Sequence, residues 1–166
     1  MIAPTNTLVQ YHVGNAQSLP PAIQEPIPVL LVENNPIFLR IALLLLQKHY
    51  HNEVVVIGAA GRGEDALIQA RELRPSVVLL DLGMPGLTSL EIIPRLRKIL
   101  PCVGIVALGL LDTYGSRQAA LSAGADEFIP KASLNSDLMP AIWRVMQSEW
   151  SPERPVAAIR TNGHRV

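Results

Sequence analysis

The sequence predicts an α/β fold in which one five-stranded parallel sheet is covered by helices on both faces. Short apolar runs alternate five times with longer stretches of helical periodicity, and this alternation favours parallel strands joined by helical crossovers. The runs also lack polar residues at alternate positions, as expected of strands that are buried on both faces. With 166 residues, of which 49% are hydrophobic, the chain is long and apolar enough to bury the core of one such domain.

Strands are predicted where a short apolar run is bounded by polar, glycine or proline residues. The third run, residues 77–80, reads VVLL and leads directly into Asp81. Five such runs occur, at residues 29–32, 54–57, 77–80, 103–108 and 127–129.

Helices are predicted where apolar residues recur every three or four positions. Pro36 suits a first helical turn, whereas Pro75 and Gly124 indicate where two helices end. Pro94 and Pro140 fall inside predicted helices, and Pro94 is expected to disturb its helix. The predicted helices cover residues 36–48, 64–73, 89–100, 113–122 and 134–147.

Composition changes at both ends of this pattern. Residues 1–28 contain five prolines and one charged residue, Glu25, which predicts a flexible N-terminal arm over residues 1–27. Residues 28–147 are predicted to form the domain. Residues 148–166 contain two prolines and three arginines without periodicity, so they are predicted to be a C-terminal tail or a truncated linker.

Overall composition disfavours several classes of function. The net charge is +0 and no basic stripe is present, so we expect no direct binding to nucleic acid. The single cysteine, Cys102, excludes an internal disulfide, and its place beside an apolar run predicts a small core residue. No apolar run is long enough to span a bilayer, and the N-terminus does not resemble a signal peptide. These features predict a cytoplasmic protein that does not bind membranes.

Polar side chains follow three of the predicted strands at the point where each strand ends. Glu33 and Asn34 follow the first strand, Asp81 the third and Lys131 the fifth. In a doubly wound sheet of order 2-1-3-4-5 the first and third strands are neighbours at the topological switch point. Glu33, Asn34 and Asp81 should therefore converge, and an acidic patch with a central aspartate and a lysine suits an aspartate that accepts a phosphoryl group.

Four segments carry a resemblance to the receiver domain of two-component response regulators. Residues 32–36 (VENNP) resemble its acidic pair, residues 81–86 (DLGMPG) its phosphoacceptor loop, and residues 124–131 (GADEFIPK) its last conserved strand and lysine. Residues 58–67 resemble its second βα unit. The resemblance covers about residues 28–147 and implies a flavodoxin-like fold. It also implies a protein that signals by contact with other proteins rather than an enzyme.

The resemblance is greatest to receivers that precede a helix-turn-helix output domain, and it implies roles for individual residues. Asp81 would accept the phosphoryl group, and Lys131 would pair with the phosphoryl oxygens. The Gly83 carbonyl and Asp81 would help to bind Mg²⁺, and Glu33 would hold the metal through water. Phe128 would be the aromatic switch residue.

Two positions depart from the pattern of this family. Asn34 stands where the family has its principal metal-binding aspartate, and a neutral amide is a weaker ligand for a hard cation. Gly109, which lies 22 residues before Lys131, stands where the family has a Ser or Thr hydroxyl that bonds the phosphoryl group. Leu110 follows where a small residue is usual, so access to Asp81 is expected to be narrowed. We therefore expect an atypical receiver with weak Mg²⁺ binding and impaired phosphorylation, whose partner is a histidine kinase or another signalling protein.

Three alternatives remain open at this point. The chain could be a working receiver that accepts phosphate on Asp81 from a histidine kinase. Glu33 and Asn34 could cap the first helix instead of binding a metal. Residues 61–66 (GRGEDA) match a dinucleotide-binding G-x-G-x-x-A pattern, with Asp81 located 20 residues beyond Gly61.

Self-association is a further expectation, through the face made by the fourth helix, the fifth strand and the fifth helix. It depends on four apolar residues of the last helix: Leu134, Leu138, Ile142 and Val145.

Overall fold

The computed structural model describes residues 25–84 and 88–148, in which five strands alternate with five α-helices. The strands are β1 (Ile27–Val32), β2 (Val54–Ala60), β3 (Val77–Asp81), β4 (Gly104–Gly109) and β5 (Glu127–Pro130). The helices are α1 (Pro36–His49), α2 (Gly63–Leu73), α3 (Ser89–Ile99), α4 (Tyr114–Ala123) and α5 (Leu134–Ser148), and a short 3-10 turn (Lys131–Ser133) precedes α5. The parts of the predicted arm and tail at residues 1–24 and 149–166 lie outside the described residues.

All strand pairs are parallel, and the sheet order is β2-β1-β3-β4-β5. The predicted fold and strand order are therefore confirmed. Val32 on β1 pairs with Leu80 on β3, and Asp81 pairs with Leu108 on β4. The residues that follow these three strands consequently emerge at one edge of the sheet, called here the carboxyl edge.

Side chains of the strands alternate between two apolar layers. On β1, Val29 and Leu31 pack with α1 and α5, whereas Leu30 and Val32 pack with α2, α3 and α4. Both layers are buried, which explains why the central strands read as uninterrupted apolar runs. None of the described helices is long and apolar enough to cross a membrane.

Strand β2 is an edge strand and extends three residues beyond its predicted end, through Gly58, Ala59 and Ala60. The side-chain amide of Gln69 on α2 donates to the Ala59 carbonyl at 3.0 Å. A Cβ atom at Gly58 would lie 2.6 Å from Oε1 of Gln69. The absence of a side chain at Gly58 therefore leaves room for Gln69 to reach the outer strand.

The segment that begins at Gly124 is held by Arg97 of α3. Gly124 ends α4 with a φ of 110°, a conformation that glycine adopts without strain. Arg97 donates from Nε to the Gly124 carbonyl at 3.0 Å and forms a 2.5 Å ion pair with Asp126. Asp126 also accepts from the backbone amide of Ile105 at 2.8 Å. These contacts fix the start of β5 and hence the position of Lys131 at its end.

Three expectations differ from the structure. Leu134, Leu138, Ile142 and Val145 are all core residues, with at most 4% of their surface exposed. They therefore cannot form the predicted dimer surface, because a helix that covers a sheet turns its apolar stripe inward. Cys102 is exposed rather than buried, because it lies in the turn between α3 and β4. Helix α3 continues through Pro94 to Ile99.

Candidate functional site at the carboxyl edge

Three charged side chains from distant parts of the sequence meet at the carboxyl edge. The ammonium nitrogen of Lys131 lies 2.6 Å from Oε2 of Glu33 and 2.9 Å from Oδ1 of Asp81. Glu33 and Asp81 are 5% and 3% exposed. Two carboxylates and one ammonium leave this cluster with a net charge of −1. Because a buried carboxylate is costly without a partner, Lys131 compensates for the burial of both acids.

An aromatic ring from α1 also contacts the lysine. The ammonium of Lys131 lies 4.2 Å from the centroid of the Phe38 ring, a geometry in which the face of the ring attracts a cation. Phe38 thus helps to hold Lys131 beside the two acids. The sequence predicted only that Phe38 lies in the helix at residues 36–48, because helical spacing shows which face of a helix is buried and not what it touches.

Asp81 is held by the loop and helix that follow it. The backbone amide of Gly83 donates to Oδ1 of Asp81 at 3.0 Å, and the buried hydroxyl of Ser89 donates to the Asp81 backbone carbonyl. A Cβ atom at Gly83 would lie 3.5 Å from both Asp81 carboxylate oxygens. The last two residues of the predicted phosphoacceptor loop, 85 and 86, lie outside the described residues.

The N-cap of α1 is Asn35, and not Glu33 or Asn34. Oδ1 of Asn35 accepts from the backbone amides of Ile37 and Phe38 at 3.0 and 3.2 Å. Oε1 of Glu33 accepts from the Asn35 amide at 2.8 Å. Glu33 therefore supports the cap from one oxygen and binds Lys131 with the other. Asn34 is exposed at the carboxyl edge, next to the buried Glu33.

The ring of Phe128 fills the space beside Gly109. A Cβ atom built at Gly109 would lie 2.4 Å from Cζ and 2.7 Å from Cε2 of that ring, closer than non-bonded carbon atoms approach. Phe128 is 3% exposed, whereas Leu110 is 77% exposed. The expectation that Leu110 narrows the approach to Asp81 is thus not supported, because Leu110 faces solvent and Phe128 occupies the space next to Gly109.

Arg117 of α4 holds Phe128 in this position. Its guanidinium carbon lies 4.8 Å from the ring centroid, and Nη1 donates to the Phe128 carbonyl at 3.2 Å. Nη2 forms a 3.0 Å ion pair with Asp112 in the loop after β4. This contact links α4, β5 and the β4–α4 loop. Sequence reasoning missed Arg117, since no motif marks it.

The donor set around Asp81 is poor for a divalent metal. Within residues 25–84 and 88–148 no group of three or more His, Cys, Asp or Glu side chains is placed to hold a metal ion. Glu33 and Asp81 are the two carboxylates present, and both accept from Lys131. Asn34 adds a neutral amide and Gly83 a backbone carbonyl. Mg²⁺ takes oxygen ligands in octahedral geometry, usually with one or two carboxylates among them, and both carboxylates that could serve here are already paired with Lys131.

The topology does not support dinucleotide binding. Gly61 follows β2 and Asp81 ends β3, but β1 lies between these two strands in the sheet. In dinucleotide-binding folds the acidic residue follows the strand next to the glycine-rich turn. Asp81 instead faces Glu33 and Lys131, so the spacing between Gly61 and Asp81 does not reflect a shared ribose site.

Comparison with known proteins agrees with the fold. The family model for the response regulator receiver domain matches residues 29–143. The transcriptional activator protein ExaE of Pseudomonas putida is 33% identical over 132 residues, which are 78% of this chain and 59% of that protein. The nitrate/nitrite response regulator NarL of Escherichia coli is 30% identical over 126 residues, 76% of this chain and 57% of that protein. This chain thus spans less than two thirds of these relatives.

A solved structure of a receiver domain has a similar fold. The signal receiver domain of the response regulator NarL from Mycobacterium tuberculosis superposes with a TM-score of 0.68 and 26% identity, covering 74% of this chain and 98% of that domain. The strand order β2-β1-β3-β4-β5 and the match over residues 29–143 show that this chain belongs to the response regulator receiver domain family.

Proposed function

We propose that this chain is an atypical receiver domain that acts through protein–protein contact, with Mg²⁺-dependent phosphorylation of Asp81 impaired. Receiver domains act in two-component signalling. The observation that carries the proposal is the Phe128 ring beside Gly109, where Cβ and ring carbon would lie 2.4 Å apart. A ring that already fills this space leaves no room for a hydroxyl-bearing side chain that would respond to a phosphoryl group.

The donor atoms around Asp81 support the same proposal. Receiver domains typically bind Mg²⁺ at the phosphorylation site, where the ion offsets the negative charge of the phosphoryl group. In this chain Asp81 and the Gly83 carbonyl would hold it, with the Asn34 amide in place of a carboxylate and Glu33 acting through water. Lys131 is already paired with both Glu33 and Asp81, at 2.6 and 2.9 Å. An incoming cation would therefore meet a cluster of net charge −1 and repulsion from the lysine.

The remaining parts of the proposal follow from membership of the family. The partner is a histidine kinase or another signalling protein, and the place of action is the cytoplasm. We propose no catalysis beyond self-phosphorylation and dephosphorylation, and no direct contact with nucleic acid or membrane. Residues 28–147 are proposed as the folded unit.

A working phospho-receiver is the second candidate, and one observation favours it. Asp81, Lys131 and Glu33 lie together, and the ammonium of Lys131 is 2.9 Å from Oδ1 of Asp81, where it could pair with an incoming phosphoryl oxygen. All residues that would carry the chemistry are thus present except the hydroxyl at position 109 and the carboxylate at position 34.

Labelling with acetyl phosphate and Mg²⁺ distinguishes the two candidates. Aspartyl phosphate is quantified by intact mass, with Asp81→Asn as the control that identifies the labelled residue. The proposal requires little label in the natural chain. Rapid labelling that Asp81→Asn abolishes would reject it and establish the working receiver.

A further inference from the structure

A groove of about 780 Å³ opens at the amino edge of the sheet, at the opposite end of the strands from Asp81. Its walls come from the start of β1, the residues that precede β2 and β3, and the last two turns of α5. Ile27, Glu53, Ser76, Trp143 and Met146 are among the lining residues. The groove therefore lies where the chain enters the sheet and where it leaves the last helix.

Trp143 is the large apolar side chain of this groove that remains open to solvent. It is 44% exposed, although its neighbours on α5, Ile142 and Val145, are at most 1% exposed. A tryptophan ring that projects from an otherwise buried helix into a groove provides a large apolar contact for a covering segment.

Two carboxylates line the same groove without a partner among the described residues. Glu25 and Glu53 form neither an ion pair nor a side-chain hydrogen bond within residues 25–84 and 88–148. By contrast, Asp81 at the carboxyl edge is paired with Lys131, and Asp112 in the β4–α4 loop is paired with Arg117. The groove thus combines an apolar ring with two free negative charges.

We propose that residues 149–166 of the same chain occupy this groove. The segment begins immediately after α5, whose Gln147 is itself a lining residue. It carries three arginines, Arg154, Arg160 and Arg165, against two acids, so its net charge is +1. Six extended residues span about 20 Å, so Arg154 is within reach of both carboxylates.

Charge selects this segment over the other end of the chain. Residues 1–24 contain no lysine or arginine, so they offer no side-chain cation to Glu25 and Glu53 other than a protonated His12. Residues 149–166 supply both the cations and an apolar stretch, residues 156–159 (VAAI), that can cover Trp143. The arginine side chains pair with the carboxylates while this stretch packs on the ring.

Tryptophan accessibility tests the proposal in the full chain. The chain has two tryptophans, so Trp150→Phe leaves Trp143 as the single reporter, and its quenching by acrylamide measures how far the groove is covered. The Trp150→Phe chain is the parent of three further variants. One reverses the charges of the groove (Glu25→Lys with Glu53→Lys), and a second reverses the charges of the segment (Arg154→Glu, Arg160→Glu and Arg165→Glu). The third combines both sets of changes. Glu72→Lys on the surface of α2 is the matched charge control, and circular dichroism confirms that each variant is folded.

A surface ion pair changes an equilibrium constant by about twofold to fivefold, so each single-sided reversal should shift the equilibrium between the covered and the open groove towards the open form by about twofold or more, and the quenching of Trp143 should rise. The combined reversal should restore the protection, because opposite charges again face each other, and Glu72→Lys should have no effect. High salt should expose Trp143 in the parent as well.

Three results would overturn the proposal. If Trp143 in the parent is quenched as readily as a free tryptophan analogue, the groove is open. If Trp143 stays protected in each of the two single-sided reversals, another segment, such as residues 1–24, covers the groove. If protection instead increases with protein concentration, together with a dimeric mass in sedimentation, a second copy of the chain occupies the groove.

Discussion

The Phe128 ring and Gly109 are mutually dependent, because the ring lies where the Cβ atom of any other residue at position 109 would be, 2.4 Å from Cζ. Arg117 stacks on the ring at 4.8 Å and donates to the Phe128 backbone carbonyl, so the position of the ring is supported from α4. The aromatic residue is thus held in one position by the folded protein itself.

Replacement of Gly109 by threonine should destabilise the domain by about 1–3 kcal/mol, because the new side chain overlaps a ring in a packed core. Urea denaturation measures the loss. Phe128→Ala is itself destabilising because the ring is buried, but the double variant should lose less stability than the sum of the two single losses, so the two changes should be non-additive. Gly115→Thr is the matched control, since a Cβ atom at Gly115 meets nothing within 4 Å. Equal losses at positions 109 and 115 would contradict the close packing described here.

Restoration of phosphorylation should therefore need more than the two family residues. Asn34→Asp returns a charged metal ligand, and Gly109→Thr returns a hydroxyl whose bond to a charged group contributes roughly 1.5–3 kcal/mol. The Phe128 ring must move before that hydroxyl can face Asp81. We expect little acetyl phosphate labelling of the natural chain and more in the double variant, with a further gain when Phe128→Ala is added. If neither the double variant nor the triple variant that also carries Phe128→Ala is labelled more than the natural chain, another feature limits the reaction.

Asn34→Asp alone should strengthen Mg²⁺ binding by at least about tenfold, since two opposite unit charges 4 Å apart attract by about 4 kcal/mol at an effective dielectric constant of 20. Amide chemical shifts of residues 82–84, followed during a Mg²⁺ titration, measure the affinity. Asn52→Asp, near the opposite edge of the sheet, is the control for an added negative charge. Tight Mg²⁺ binding by the natural chain would contradict the weak site inferred from its donor atoms.

Lys131→Met should destabilise the fold by about 3 kcal/mol, because it leaves Glu33 and Asp81 buried without their shared cation. The Lys131 side chain is 13% exposed and the two acids less, so solvent can offset little of this loss. Chemical denaturation gives the change, and Lys98→Met on the exposed side of α3 provides the comparison. If both variants lose the same small amount, the three-charge cluster contributes no net stability.

Acid should loosen the start of α3. The Thr88 hydroxyl and backbone amide both donate to the Glu91 carboxylate at 2.9 Å, and these bonds lower the pKa of Glu91 below 4.5. Because the folded pKa is the lower one, the stabilisation is complete above the unfolded pKa and is lost as pH falls through the folded pKa. An NMR titration of Glu91 should show this low pKa, and Thr88→Ala should raise it towards the ordinary value. An unchanged titration in Thr88→Ala would mean that the hydrogen bond from the Thr88 hydroxyl is not its main cause.

The sequence predicted the sheet order and the convergence of Glu33, Asn34 and Asp81, because β1 and β3 are neighbours in a sheet of this order and their ends meet at one edge. It could not predict how the Phe128 ring lies. The orientation of a side chain depends on the space left by Gly109 and on Arg117, and neither relationship is visible as a motif.

The dimer surface shows a different limit of sequence reasoning. Apolar residues at helical spacing identify one face of α5, but Leu138 and Ile142 would have the same spacing whether they packed on the sheet or on another molecule. Only the three-dimensional structure shows that they are fully buried. Cys102 is similar, since its closeness to an apolar run did not show that a turn places it at the surface.

The hydrogen bond from Gln69 to Ala59 also bears on how the protein behaves at high concentration. An outermost strand offers unused backbone groups to which a strand of another molecule can add, and such growth leads to aggregation. Gln69 occupies one of these acceptors, and the missing side chain at Gly58 is what lets it do so. A larger residue at position 58 would therefore uncover the rim of the sheet and should make the protein prone to form insoluble assemblies, even where folding and the Asp81 region stay intact.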